Sequence, residues 1–225
     1  MTETKSTLLL VGSPRGETST SASLGAYLLK LLEESGFDTA KGFIHRLVNR
    51  NEKIEELLSL VNNADLIILS FPLYVDSLPA PVIKAMELIR DNRNEKQRQN
   101  QDFIAISNCG FPESSQIEVA LEICKNFAEE VNFNWRGGLA IGGGGAVNGR
   151  PLEERGGMLR NVIKGLQITA EYLSKGEDIP NEAIELVSKG FIPSAMYKMM
   201  GNLGWRIQAR RYGALKRMKD QPDLN

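Results

Sequence analysis

Continuous apolar runs and helical apolar spacings alternate five times along this chain, and that alternation leaves few folds open to it. Thr7–Ser13 (TLLLVGS), Asp65–Phe71 (DLIILSF) and Phe103–Ser107 (FIAIS) are β-type runs without polar alternation, as in strands covered on both faces. A weaker run lies near Thr39–His45, and Gly138–Gly142 closes a short fifth. After each run apolar residues recur by three and four. Leu24, Tyr27, Leu28, Leu31 and Leu32 mark the first such helix, with Gly36 as its stop. Ile54, Leu57, Leu58 and Val61 mark the second; Val82, Ala85, Met86 and Ile89 the third. Ile117, Leu121, Cys124, Ala128 and Val131 mark the fourth, and Met158, Val162, Leu166, Ala170 and Leu173 the last. Strands that each lead into a helix predict an α/β domain with a parallel sheet and right-handed crossovers. In such sheets ligands sit beyond the carboxyl ends of the strands, where the strand order reverses. The loops after strands one, three, four and five are therefore where function is expected.

At 225 residues, with 42% hydrophobic and 24% charged residues, the chain has the size and balance of one soluble domain with an appendage. A net charge of −1 gives no reason to expect nucleic acid as a partner. The charge is unevenly spread: from Phe191 onward there are seven basic and two acidic residues, which leaves residues 1–190 at −6. Two cysteines, Cys109 and Cys124, are too few for a disulfide framework, a thiolate zinc site or an iron–sulfur cluster. No apolar stretch is long enough for a membrane span, and Leu8–Val11 is too short for a signal-peptide core. A cytoplasmic, soluble protein is expected.

His45 is the single histidine, so every His-dependent triad or acid–base scheme must use it or do without. G-x-S-x-G, a G-K-[ST] ending and H-E-x-x-H are all absent from the sequence. An enzyme of this composition is expected to borrow its chemistry from a cofactor. His45 itself is expected at the surface or as a satisfied structural residue.

Two stretches fall outside the rhythm. Arg90–Gln101 (RDNRNEKQRQNQ) has no apolar residue and is expected to be a solvated extension or loop. Residues 180–225 read as a helical, basic extension of a 1–179 body rather than an independent domain. In it Ile192, Ala195, Met196, Met199, Met200 and Leu203 recur by three and four, and Trp205 and Ile207 follow the Gly201 and Gly204 break. Such a segment can pack on the body, on a second subunit, on an anionic membrane or beside the phosphates of a dinucleotide. An exposed Met-rich stripe is an association hazard, so docking on the acidic body or on a partner subunit is expected.

The first loop, Gly12-Ser13-Pro14-Arg15-Gly16-Glu17-Thr18-Ser19-Thr20-Ser21, runs straight into a helix. Helix N-termini present free N–H groups and a dipole that favour anions, and Arg15 adds a forked donor. One N-cap needs a single hydroxyl, and five are present, so the loop reads as a cap or as a phosphate cradle. It is not a G-x-G-x-x-G dinucleotide fingerprint. After strand three, Pro72-Leu73-Tyr74-Val75-Asp76-Ser77-Leu78-Pro79-Ala80-Pro81 holds an aromatic ring and apolar side chains on a proline-stiffened loop. That composition suits either a platform for a flat ring or a helix-leading loop with a surface tyrosine. Asn108-Cys109-Gly110-Phe111-Pro112-Glu113 follows strand four, with Cys109 read as a packed residue rather than a redox thiol. Gly142, Gly143, Gly144 and Gly145 follow strand five, where four glycines mark close backbone approach or a mobile lid.

Taken in order, three segments resemble the flavodoxin-like NAD(P)H-dependent oxidoreductases, on the FMN-reductase and quinone-reductase side. They are Gly12-Ser13-Pro14-Arg15 with Ser19-Thr20-Ser21; Ala64-Asp65 through Pro72, Tyr74, Ser77, Pro79-Ala80 and Lys84; and Asn108–Glu113. The resemblance covers about residues 5–175. It implies a doubly wound, five-stranded parallel sheet of order 2-1-3-4-5. It implies an FMN phosphate on Ser13, Arg15, Ser19, Thr20 and Ser21. The isoalloxazine would rest on Pro72, Leu73, Tyr74 and Val75, with Asn108, Cys109, Gly110, Gly142, Gly143 and Gly144 at the rim. The compact cysteine motif by which some relatives bind an iron–sulfur cluster is missing here. The implied activity passes electrons from NAD(P)H through FMN to a small acceptor such as a quinone, a nitro or azo compound or free flavin. No side chain need act as a catalytic nucleophile, and a homodimer is expected. A flavodoxin-type electron carrier and a non-redox binding module of the same fold are the alternatives.

Overall fold

Five strands, β1 (Ser6–Val11), β2 (Asp38–Phe43), β3 (Leu66–Pro72), β4 (Asp102–Asn108) and β5 (Asn134–Ile141), form a parallel sheet in the order β2-β1-β3-β4-β5. The structure is a computed structural model that describes residues 4–96, 100–190, 194–218 and 220. Leu9 pairs with Lys41 on one side and Ile68 on the other, which fixes β1 between β2 and β3. Between Phe103 and Ile104 the pairing of β4 with β5 slips by one residue, a bulge that the sequence pattern does not signal.

Each sheet face carries its own core. Leu9, Val11, Ile68, Ile104, Ile106, Leu139 and Ile141 pack against α1 (Thr20–Glu34) and α6 (Arg160–Ser174). Leu8, Leu10, Ile67, Leu69, Phe103 and Ala105 face α2 (Ile44–Leu47), α3 (Asn51–Asn63), α4 (Ala80–Lys96) and α5 (Glu118–Glu130). Two buried faces are why these strands read as unbroken apolar runs. α7 (Asn181–Ser188) packs on α6 and β5 and buries Ala183 and Val187. The chain divides into compact units Met1–Phe191 and Ile192–Asn225, so the body extends beyond residue 179 to take in α7.

The polar stretch from Arg90 is not a solvated loop. α4 continues through Lys96, and Arg93 and Gln101 are buried. Arg93 donates from Nε to the carbonyl of Val131 at 2.6 Å, from Nη2 to that of Asn132 at 3.3 Å and from Nη1 to the Gln101 side chain. Its guanidinium lies 4.2 Å from the centre of the Phe133 ring. Gln101 donates to the carbonyls of Val61 and Ala64, both at 2.6 Å. These carbonyls lie at or just past the C-terminal ends of α5 and α3, where a helix leaves most carbonyls without partners of its own. The stretch therefore ties off two helices from a distance. Residues 97–99 lie outside the described residues.

The second unit contains α8 (Ser194–Arg211) and a short helical turn at Leu215–Arg217. Met199, Leu203, Trp205, Ile207 and Tyr212 are exposed. Of the tail positions singled out in the sequence, Ile192 and the side chains of Ala195, Met196 and Met200 lie outside the described residues.

Candidate functional site

The loops after β1, β3, β4 and β5 meet at the carboxyl edge of the sheet, held by bonds that cross between them. Gly12 leaves β1 with its amide on the Ser70 carbonyl at 2.8 Å. A Cβ at Gly12 would stand 2.5 Å from Val82 and 2.8 Å from Phe71, so glycine is what lets α4 close on this turn. The loop then makes a short helical turn at Gly16–Thr18 before α1. Ser19 caps α1: its Oγ accepts from the amide of Ala22 at 3.1 Å and donates to the carbonyl of Gly16 at 2.6 Å. The hydroxyl run thus serves as a cap, and more than one hydroxyl is used. Ser13 is buried, with its Oγ 3.4 Å from the amide of Arg15, whereas Arg15 is exposed. The amides of Thr20 and Ser21, in the first turn of α1, have no acceptor within the helix.

Asn108 knots the loops from beneath. Its Nδ2 donates to Ser21 Oγ at 2.7 Å and to the carbonyl of Phe71 at 3.2 Å, and Ser70 Oγ donates to the Ser21 carbonyl at 2.7 Å. Ser21, Ser70 and Asn108 are all buried. Ser21 and Asn108 therefore brace the loop from below, while Arg15 and Thr18 stand at its surface. Thr20 Oγ1 donates to the Gly144 carbonyl at 2.8 Å, joining α1 to the loop after β5.

Close backbone contact, not a lid, explains the glycine run. Gly143 has φ +65 and its amide donates to the Phe111 carbonyl at 2.6 Å; the amide of Gly144 donates to the Cys109 carbonyl at 2.8 Å. A Cβ at Gly142 would lie 2.3 Å from the Pro112 oxygen. At Gly110 and Gly145, by contrast, a Cβ would meet nothing within 4 Å. The rim of the two loops is open there.

The loop after β3 is a two-residue reversal. Tyr74 and Ser77 exchange backbone hydrogen bonds at 2.9 and 3.0 Å, and Val75 and Asp76 take φ +48 and +58. This is a turn that glycine and asparagine favour, and a β-branched residue is strained in it. Val75 is nonetheless 98% exposed at its tip, with Tyr74 half-exposed beside it. The Leu73 amide donates to the Asn108 carbonyl at 2.8 Å, fixing this turn to the β4 end.

Cys109 is buried under the same rim, its Sγ 3.4 Å from the Phe111 carbonyl and 3.7 Å from that of Glu113. Burial pushes its thiol up from the usual value. His45 departs from expectation: it is half-buried beside Gly16, and its Nδ1 is buried without a hydrogen-bond partner among the described residues. It is neither a surface residue nor a satisfied one. Sequence reasoning missed Gly149, where φ is +69 and a Cβ would lie 2.1 Å from the Thr18 carbonyl oxygen. Here the segment after β5 lies directly against the loop after β1. Only the glycine itself hinted at it. Among the described residues no group of His, Cys, Asp and Glu side chains is placed to hold a metal ion.

A family profile described as NADPH-dependent FMN reductase matches residues 6–133. No curated protein matches the sequence. Several solved structures share the fold. An FMN-dependent NADH-azoreductase from Bacillus anthracis, solved with FMN, superposes with a TM-score of 0.58 at 13% identity, over 76% of this chain and 100% of that one. An NADH:FMN oxidoreductase in its apo form gives 0.54 at 17% identity, over 74% and 90%. A Streptococcus pneumoniae flavodoxin gives 0.52 at 13% identity, over 76% and 99%.

Proposed function

Because the chain belongs to the NADPH-dependent FMN reductase family, we propose that it is an NAD(P)H-dependent FMN oxidoreductase acting on a small acceptor such as a quinone, a nitro or azo compound or free flavin. The observation that carries this reading is the N-terminus of α1. The first-turn amides of Thr20 and Ser21 lack helical acceptors, and Arg15, five residues before Thr20 in the loop that leads into the helix, is exposed. That donor set suits a phosphate monoester. The open rim at Gly110 and Gly145 and the rigid turn carrying Tyr74 and Val75 suit a flat heterocycle.

In this reading Ser13, Arg15 and the backbone amide of Thr20 hold the FMN phosphate, Ser19 caps the helix that presents that amide, and Ser21 and Asn108 fix the loop beneath. Pro72, Leu73, Tyr74 and Val75 flank the ring, and Cys109, Gly110, Gly142, Gly143 and Gly144 border it. Bound FMN supplies the hydride and electron transfer that no side chain here needs to supply. The chain's own work is orientation and exclusion of water. The Tyr74–Ser77 hydrogen bonds and the Leu73–Asn108 bond hold the turn in place, which limits the geometries open to a donor or acceptor. A cytoplasmic homodimer completes the proposal, and sedimentation velocity of the purified chain tests the dimer.

The deciding experiment is anaerobic titration of the FMN-loaded protein with NADPH and with NADH, following the visible flavin absorbance. Rapid bleaching by either donor is expected. Bound flavin that neither donor reduces would replace this reading with an electron carrier. Arg15→Ala should release FMN; unchanged flavin affinity would overturn the phosphate assignment.

A further inference from the structure

We propose that α8 is a peripheral docking element for an anionic phospholipid surface. Between Ser194 and Met218 the sequence has six Lys or Arg residues (Lys198, Arg206, Arg210, Arg211, Lys216 and Arg217) and no Asp or Glu. At 3.6 residues per turn the positions divide into two halves. Tyr197, Leu203, Trp205 and Ile207 fall on one half, with Gly201, Gly204 and one cation, Arg211, among them; Asn202, Arg206 and Arg210 follow one another at intervals of four along the other, which also carries Met199. On the apolar half Leu203 is 59%, Trp205 67% and Ile207 62% exposed. Tyr212, Leu215 and Met218 continue the exposed apolar surface past the helix.

Charge and chemistry together select the occupant. Nucleic acid would take up the cations but leaves an apolar half with nothing to bury against. A second copy of α8 would bring four like charges against four. An anionic bilayer meets both needs at once: headgroups neutralise the basic side, and Trp, Tyr, Leu and Ile side chains enter the acyl boundary, where aromatic rings with a polar edge are favoured. The element lies on a membrane and does not cross one, since no described helix is long and apolar enough to span. The proposal stands apart from the flavin reading and needs no cofactor.

Flotation of the full chain with vesicles tests it. Vesicles of phosphatidylcholine mixed with phosphatidylserine should carry the protein up the gradient; vesicles of phosphatidylcholine alone should not, and raised salt should weaken the binding. Leu203→Ser with Ile207→Ser, and separately Arg206→Glu with Arg210→Glu, should each reduce the bound fraction by at least about tenfold. Circular dichroism and FMN content, unchanged in both variants, show that the body is intact. Failure to float with anionic vesicles, equal flotation with neutral ones, or flotation indifferent to both variants would each overturn the proposal. So would a dimer that the Leu203→Ser, Ile207→Ser variant converts to monomer while vesicle binding persists, since the apolar half would then face a second copy.

Discussion

At Gly149 a Cβ would lie 2.1 Å from the carbonyl oxygen of Thr18, on a backbone with φ +69, so an alanine there must push two loops apart. Gly149→Ala should cost about 1–3 kcal/mol in urea unfolding and should weaken FMN binding in a fluorescence titration, because the loop it displaces leads into the N-terminus of α1. The two thiols give a pH prediction. Burial raises the pKa of Cys109 and of Cys124 above the usual 9.0, so both stay neutral in the fold at physiological pH. A thiol whose pKa is higher folded than unfolded favours the fold while it is protonated. That contribution is complete below the unfolded value and is lost as pH climbs from it toward the folded one. The urea midpoint should therefore fall as pH rises above about 9, and Cys124→Ala should shrink the fall. At this scale the sequence is partly legible. Ser19 and its hydroxyl neighbours announce a helix N-terminus by composition alone. Gly149 does not, because nothing near it in sequence says that Thr18 will be its neighbour. The lone Nδ1 of His45 is equally invisible, since burial of one ring atom depends on α2 folding over Gly16.

Arg93 shows how an element far along the chain can finish another. Its guanidinium supplies the donors that the end of α5 lacks, and Gln101 does the same for α3. Arg93→Met keeps the stem but strands the carbonyl of Val131 and the Gln101 oxygen in a buried place. A loss of about 3 kcal/mol is expected, read as a lower urea midpoint at unchanged m. A variant within about 0.5 kcal/mol of the parent would show that water replaces the guanidinium without cost. Strands and helices of the body are legible because burial on both sheet faces leaves continuous runs such as LLLV and LIIL in the sequence. The stretch from Arg90 is illegible for the opposite reason. Its partners are carbonyls about forty residues away in the chain, and a polar composition looks the same whether it faces water or backbone oxygen. The bulge between β4 and β5 is hidden likewise, because pairing register leaves no trace in one strand read alone.

For the molecule as a whole, cofactor and fold are linked. The site is assembled from four loops that cross-brace one another through Asn108, Thr20 and Gly144. A ligand that binds only this assembled state adds its binding energy to the stability of the body. FMN at a hundredfold excess over its Kd should add about 2.7 kcal/mol and raise the melting temperature, and Arg15→Ala should abolish most of that rise while leaving the apo value unchanged. A melting temperature unaffected by FMN would place the flavin elsewhere. The parallel sheet has a further consequence, and it concerns time. No pair of neighbouring strands is joined by a tight hairpin, so every pairing waits for a crossover to close: Leu9 waits for Ile68, and Ile68 for Ile104. β1, second from the edge of the sheet, is the first of the five to be made. β2 and β3 settle on either side of it, and β4 and β5 then extend one side only. The loops beyond β1 and β3 exist early, but the Gly142–Gly145 backbone, bonded to Thr20 and to the loop after β4, arrives with the fifth strand. A nascent chain therefore cannot close this set of loops until β5 has been made, with α6 and α7 still to follow.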